Sequence, residues 1–258
     1  MIFHPKRNST KLTFVLLVSL VFSSVFAETA RVAVASNFSM PMKKIVHLFE
    51  QQTGHGISLI FGSSGKFFAQ IMHGAPFDLL LSADSIKPQK LEQAGKTVTG
   101  SRFTYATGTL VLWSRKNDYI NGNANILQSR HLNKLAMANP RHAPYGVAAK
   151  QSLQSLGLWT ELQPKLVSGE NISQTYQFVY SGNAELGFVA QSQVFANGIL
   201  QQGSGWIVPS ELHDPINQQA VLLANAEHNQ AALDLIAFLK SDKALKIMQS
   251  YGYSLTSN

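Results

Sequence analysis

No cysteine occurs among the 258 residues. Disulfide staples are therefore excluded, and so is a lipid-modified N-terminal cysteine as a covalent membrane tether. A chain this long buries an adequate core without staples. Basic residues are also never concentrated. No block of five or more lysines and arginines appears, which argues against nucleic acid as a partner. The eight histidines lack H-x-x-x-H spacing and have no cysteine partners, so a zinc site is not expected. No G-x-S-x-G occurs, which weakens an α/β-hydrolase reading.

The first 27 residues are set apart by what they contain. Lys6, Arg7 and Lys11 form a basic start, residues 12–26 are apolar, and Val25-Phe26-Ala27 puts small residues at −3 and −1 before Glu28. This is the pattern of a cleaved secretory signal peptide. The apolar run is shorter than the roughly 20 residues a spanning helix needs, and Ser19, Ser23 and Ser24 dilute it. Removal takes away three cations and no acid, so the formal charge falls from +7 to +4. A freely diffusing periplasmic protein is expected, with a mild positive field that steers anions.

Strand and helix signals then alternate with short connections, the pattern of α/β layers around mainly parallel sheets. Strands are expected at residues 31–35, 57–61, 78–82, 109–114, 134–138, 186–190 and 219–223. Helices are expected at 40–52, 67–72, 86–93, from about 144, and at 230–239 and 242–251. Pro41 suits a first helical turn, Thr53-Gly54 a stop, and Asp84 an N-cap. Residues 117–125 and 169–173 read as polar connections, and Gly203-Ser204-Gly205 as a crossing. Two α/β series with a return of the chain suggest two lobes: residues 28–106 with 206–258, and residues 107–205. Small ligands sit in such clefts, at the carboxyl ends of parallel strands.

Two polar corners stand out. Ser36-Asn37 and Gly62-Ser63-Ser64-Gly65 each close an apolar strand and open a helix. A helix start offers unpaired N–H groups, side-chain donors and a positive dipole end together, which suits a small anion. Singly, Ser and Asn are simply good N-caps. Two such corners at the ends of neighbouring strands would aim at one crevice. Gly65-Lys66 resembles the end of a phosphate loop, but Ile60 and Phe67 stand where that motif needs Gly and Ser or Thr. Asp78 and Asp84 are read as structural rather than as an acid/base pair, and Trp113, Trp159 and Trp206 as packing.

At these residues the chain resembles the substrate-binding proteins of molybdate ABC transporters, a branch of the type II periplasmic binding proteins. The matching pieces, in order, are Val34-Ala35-Ser36-Asn37-Phe38, Phe61-Gly62-Ser63-Ser64-Gly65, Gly74-Ala75-Pro76-Phe77-Asp78 with Leu81-Ser82-Ala83-Asp84, Ala138-Asn139-Pro140 with Ala143-Pro144-Tyr145-Gly146, and Tyr251-Gly252-Tyr253. The resemblance implies an α/β, two-lobed fold, each lobe a mixed, mainly parallel sheet flanked by helices, joined by two crossing strands and closing on a dehydrated tetrahedral oxyanion. It implies no catalysis and no cofactor. The ligand would be molybdate or tungstate, the partner an inner-membrane ABC permease, and the protein a monomer.

By position, Ser36 and Ser64 are the implied hydroxyl donors, with backbone N–H groups from Asn37 or Ser64, and from Tyr145 and Ile172 in the second lobe. One departure falls at Ala190, where many members carry a tyrosine hydroxyl. Tyr145 or a neighbouring amide would take up that role, or the preferred anion differs. Five or six hydrogen bonds to a charged group, at roughly 1.5–3 kcal/mol each, leave about −8 to −12 kcal/mol after desolvation and closure. A cage of donors alone rejects hydrogen phosphate, whose proton would face a donor; sulfate differs only in size. The rivals are a receptor for sulfate or another tetrahedral oxyanion, and an exported enzyme on the same fold with Asp78 or a histidine as base.

Overall fold

The computed structural model describes residues 1, 2 and 27–255. Residues 3–26, the body of the expected export segment, lie outside the described residues. In chain order the elements are β1 (Thr29–Ala35), α1 (Ser39–Thr53), β2 (Gly56–Gly62), α2 (Ser64–Met72), β3 (Leu79–Ser82), α3 (Ile86–Gln93), β4 (Phe103–Gly108) and β5 (Leu110–Ser114). They continue as β6 (Leu135–Ala138), α4 (Pro144–Ser155), α5 (Trp159–Leu162), β7 (Leu166–Gly169), α6 (Ile172–Tyr180), β8 (Leu186–Ala190) and α7 (Gln191–Val194). A small hairpin β9 (Phe195–Ala196) and β10 (Ile199–Leu200) precedes β11 (Ser204–Ile207), β12 (Ile216–Leu222), α8 (Gln230–Phe238) and α9 (Asp242–Ser250).

Two five-stranded mixed sheets result, ordered β2-β1-β3-β12-β4 and β11-β5-β8-β6-β7. β1, β2 and β3 run parallel, as do β6, β7 and β8; β12, β5 and β11 pair antiparallel. The chain passes from the first sheet to the second between β4 and β5, at Thr109, and returns between β11 and β12. This is the α/β architecture the sequence pattern implies.

Each sheet is buried on both faces, which the alternation of its strands makes possible. Along β1, Ala30, Val32 and Val34 join one cluster with α1, α8 and α9, while Ala33 faces α2 with Phe67 and Ile71. Along β5, Leu110 and Leu112 pack under α4, while Val111 and Trp113 face Val179 of α6. Leu79, Leu80 and Leu81 of β3 are fully buried, each worth roughly 1.5–3 kcal/mol of transfer free energy. Ala35, Ala83 and Ile216 of the first half belong to the same apolar cluster as α4 and β8. The halves therefore share packing beside the strand ends.

Several local readings differ from the structure in instructive ways. α1 stops where expected, Gly54 taking a left-handed φ of 74° and donating to Glu50 O. α2 begins at Ser64 rather than Phe67. Ser85, not Asp84, occupies the N-cap position of α3, yet the Asp84 carboxylate still accepts from the Lys87 amide at 3.1 Å. The connection expected at 169–173 is the end of β7 and the start of α6. Gly203-Ser204-Gly205 leads into β11, still in the second sheet, and the crossing follows it.

Candidate functional site

The two polar corners are neighbours. β1 and β2 pair in parallel register with Ala35 opposite Gly62, so the chain leaves both strands at the same edge of the sheet. From β1 it enters a short 3-10 turn, Ser36–Phe38, and then α1; from β2 it passes through Ser63, the N-cap of α2. The second sheet repeats the device. β6 and β7 pair in parallel with Ala138 opposite Gly169. Pro144 then opens α4, and Asn171 caps α6, its Oδ1 accepting from the Gln174 amide at 3.0 Å.

These four strand-to-helix corners face one another across a cavity of about 10 Å³, lined by Ala35, Ser36, Asn37, Gly62, Ser63, Ser64, Ala83, Ala143, Pro144, Tyr145, Asn171 and Ile172. That volume is on the order of the free room one water molecule requires. No lining residue carries a charged side chain. What the walls offer instead is the first turn of α2, α4 and α6, where N–H groups lack an intrahelical acceptor and the dipoles point inward. All five residues singled out from the sequence, Ser36, Asn37, Ser64, Tyr145 and Ile172, are on this wall, and all are buried.

The side chains divide the work. Ser64 Oγ accepts from the Ala83 amide at 2.9 Å, so its own proton is left to be donated elsewhere. Asn37 turns its side chain away from the cavity: Nδ2 donates to Gln218 Oε1 at 2.8 Å and to the Tyr253 hydroxyl at 2.9 Å. Tyr145 likewise directs its hydroxyl to Gln218 Nε2, which donates to it at 3.3 Å. Asn37 and Tyr145 thus present backbone to the cavity and anchor themselves behind it. Ala190, the position of the departure, is buried at the end of β8 with its amide donating to Gln193 Oε1 and is not a lining residue.

Ser63 escaped the sequence reading as a site residue. Its hydroxyl is buried on the cavity wall without a hydrogen-bond partner, and its N-cap position makes no side-chain cap. A buried hydroxyl left unpaired costs about 1–3 kcal/mol, a cost an acceptor in the cavity would remove. The signal was present in Ser63-Ser64, read as one donor rather than two. Asn171, the cap at the opposite wall, escaped it too, because the segment around it reads as a polar connection.

Contacts between the halves surround the cavity. The Gly65 amide donates to His142 O at 2.9 Å, Ser173 Oγ to Ser36 O at 3.3 Å, and Ser192 Oγ to Asn37 O at 2.8 Å. At the rim Lys66 pairs with Glu170, whose carboxyl is held below its usual range by that hydrogen bond and charge. Lys66 therefore serves an exposed ion pair and not the cavity. Asp78 accepts from the Arg31 amide at 2.6 Å and from Asn225, and Asp84 pairs with Lys87; both carboxylates serve the fold. Among the described residues no cluster of His, Asp and Glu has the makings of a metal site.

Known proteins resemble this chain over most of its length. The family described as bacterial extracellular solute-binding protein matches residues 30–254. The molybdate-binding protein ModA of Azotobacter vinelandii is 48% identical over 95% of this chain and 98% of its own length. That of Rhodobacter capsulatus is 47% identical over 86% of each. Among solved structures, a periplasmic molybdate-binding protein of A. vinelandii superposes with a TM-score of 0.85 at 37% identity, covering 88% of this chain and all of that one.

Proposed function

We infer the function from one premise: the chain belongs to the bacterial extracellular solute-binding protein family. Within it, this protein is a substrate-binding component of an ABC transporter that captures molybdate and delivers it to a permease. The single observation that carries the reading onto this chain is the cavity: four strand-to-helix corners, two from each sheet, around a space with no charged lining residue. Neutral dipoles hold a dianion without trapping a counter-charge, and donors alone favour a fully deprotonated oxyanion. Tungstate, with the same charge and shape, is expected to bind as well.

In this reading Ser36 and Ser64 donate hydroxyl hydrogen bonds, and backbone amides of Asn37 or Ser64, Tyr145 and Ile172 complete the shell. The lobes are read as residues 28–106 with 206–258, and 107–205; both boundaries fall inside strands, β4 and β11, which end at Gly108 and Ile207. The protein is exported, cleaved after Ala27, and works in the periplasm as a monomer without a cofactor. The uncharged wall supports the ligand class.

Titration calorimetry of the purified mature protein tests this. Heat with molybdate and tungstate, and none with hydrogen phosphate, is expected. Heat with sulfate and none with molybdate would transfer the assignment to a sulfate receptor. Binding should also raise the melting temperature by mass action, about 2.7 kcal/mol at a hundredfold excess over Kd.

A further inference from the structure

Behind the cavity lies a buried polar cluster assembled from six segments of the chain: Asn37, Tyr105 of β4, Tyr145 of α4, Ser192 of α7, Gln218 of β12 and Tyr253. All six are buried, and none is charged at neutral pH. Buried polar networks are costly unless every member is satisfied, so the pattern of bonds matters. Gln218 is at its centre and is fully buried. Its Oε1 accepts from Asn37 Nδ2 at 2.8 Å and from the Tyr105 hydroxyl at 2.9 Å, which fills both lone pairs. Its Nε2 donates to the Tyr145 hydroxyl at 3.3 Å.

We propose that Gln218 is the positioning residue that sets the separation of the two cavity walls, its amide tying Asn37 of the first half to Tyr145 of the second. This rests on the reading of the cavity as the anion site and adds to it a residue that does not line it. Three observations converge. Asn37 and Tyr145 both line the cavity, and both turn their side chains back to Gln218. Gln218 lies on the strand that returns from the second sheet, at a register shift between β12 and β4 that falls at Gln218/Gln219. The crossing strand opposite ends in Gly108, where a Cβ would stand 2.1 Å from the Tyr145 hydroxyl and 2.5 Å from Gln218 Nε2. The space for this bond is kept by the absence of a side chain.

Chemistry suits a side-chain amide to this role. The first half supplies donors and the Tyr145 hydroxyl is used as an acceptor, so the linking group must accept on one side and donate on the other. A methionine of similar length fills the volume and does neither. Adjusting the walls by fractions of an ångström changes every hydrogen bond to a small rigid anion at once, so the effect is read in affinity.

The test is a double-mutant cycle on molybdate binding by calorimetry, using the mature full chain with Gln218→Met, Tyr145→Phe, the pair together, and Gln219→Met as control. Gln219 points to Arg102 and Thr104 on the other side of the strand. Tyr145→Phe is expected to weaken binding about tenfold, the order of one broken buried hydrogen bond, and Gln218→Met at least as much, since the Asn37 and Tyr105 donors lose their acceptor as well. The double variant should be no weaker than the worse single, because the Gln218–Tyr145 bond is lost in all three. Gln219→Met should bind as the native protein does. A Gln218→Met protein that melts lower but keeps its Kd within about twofold would overturn the proposal, as would additive losses in the double variant. If Gln218→Met does not fold, an undiminished affinity in Tyr145→Phe overturns it alone. Should the native protein respond to sulfate and not molybdate, the ligand assignment fails, and the same cycle is read with sulfate.

Discussion

The Gly65 amide and the His142 carbonyl meet at 2.9 Å across the boundary between the two halves. One belongs to the first turn of α2, the other to the loop that leads into α4. The approach is close because Gly65 has no side chain: a Cβ there would lie 2.8 Å from His142 Cα and 2.9 Å from its carbonyl oxygen. Backbone thus touches backbone at the point where the walls of the cavity come together.

Gly65→Ala should separate binding from stability. Alanine is favoured over glycine within a helix by about 1 kcal/mol, so the lobe carrying α2 is not expected to melt earlier. The clash falls on the backbone contact between the halves. Molybdate affinity should drop at least about tenfold while the anion-free melting temperature holds or rises, read by calorimetry and thermal denaturation. A variant that binds normally would show that this contact is not part of closure.

Ser36→Ala and Ser64→Ala each remove one hydroxyl from the wall. The loss of a hydrogen bond to a charged group, about 1.5–3 kcal/mol, corresponds to roughly ten- to a hundredfold in Kd. Ser64→Ala carries a second effect, because the Ala83 amide loses its acceptor. It should therefore lower the anion-free melting temperature more than Ser36→Ala does. Equal stabilities would mean that the Ser64–Ala83 bond contributes nothing.

Ser63→Ala is expected to behave in the opposite way without anion. Removing a buried hydroxyl that has no partner is neutral or stabilising by about 1 kcal/mol. With molybdate, the same change should weaken binding several-fold, since the cavity loses a donor. A destabilised anion-free protein would contradict this description of the hydroxyl.

The tyrosine cluster predicts a late alkaline transition. Burial above all, only partly offset by hydrogen bonds with Ser192 and Asn37, pushes the Tyr253 hydroxyl from 10.0 up to about 12. Burial likewise raises Tyr105 and Tyr145. A raised folded value leaves stability intact below the unfolded one and removes it as pH rises through the folded one. From these hydroxyls, urea midpoints should be flat up to about pH 9 and fall between about 10 and 12. Tyrosinate absorbance should rise in two stages, the second coinciding with unfolding. A single early rise with no change in midpoint would contradict the buried placement.

The parts of this site that are legible in the sequence are those made locally. The Ser36 and Ser64 corners announce themselves because an apolar strand stops at a cap residue and a helical spacing follows. The second-sheet corner at Asn171 is harder, since Gly169-Glu170-Asn171 reads as a loop and α6 has only Ile172, Thr175 and Val179 as buried positions. β4 escaped because Phe103-Thr104-Tyr105-Ala106-Thr107-Gly108 neither alternates cleanly nor forms an apolar run, although it is paired along β12. The Gln218 cluster leaves no local trace at all. Its bond to Asn37 spans 181 positions, and that to Tyr145 spans 73, so only the folded topology brings them together.

In the proposed complex Ser36, Ser64, Tyr145 and Ile172 enclose a tetrahedral metal oxyanion. Anomalous diffraction from crystals grown with molybdate, recorded on both sides of the molybdenum absorption edge, tests it most directly. One strong peak is expected in the cavity between these residues, with its oxygens within about 3 Å of the serine hydroxyls and of the amides at Tyr145 and Ile172. A peak lying elsewhere on the protein, with this cavity holding only water, would contradict it.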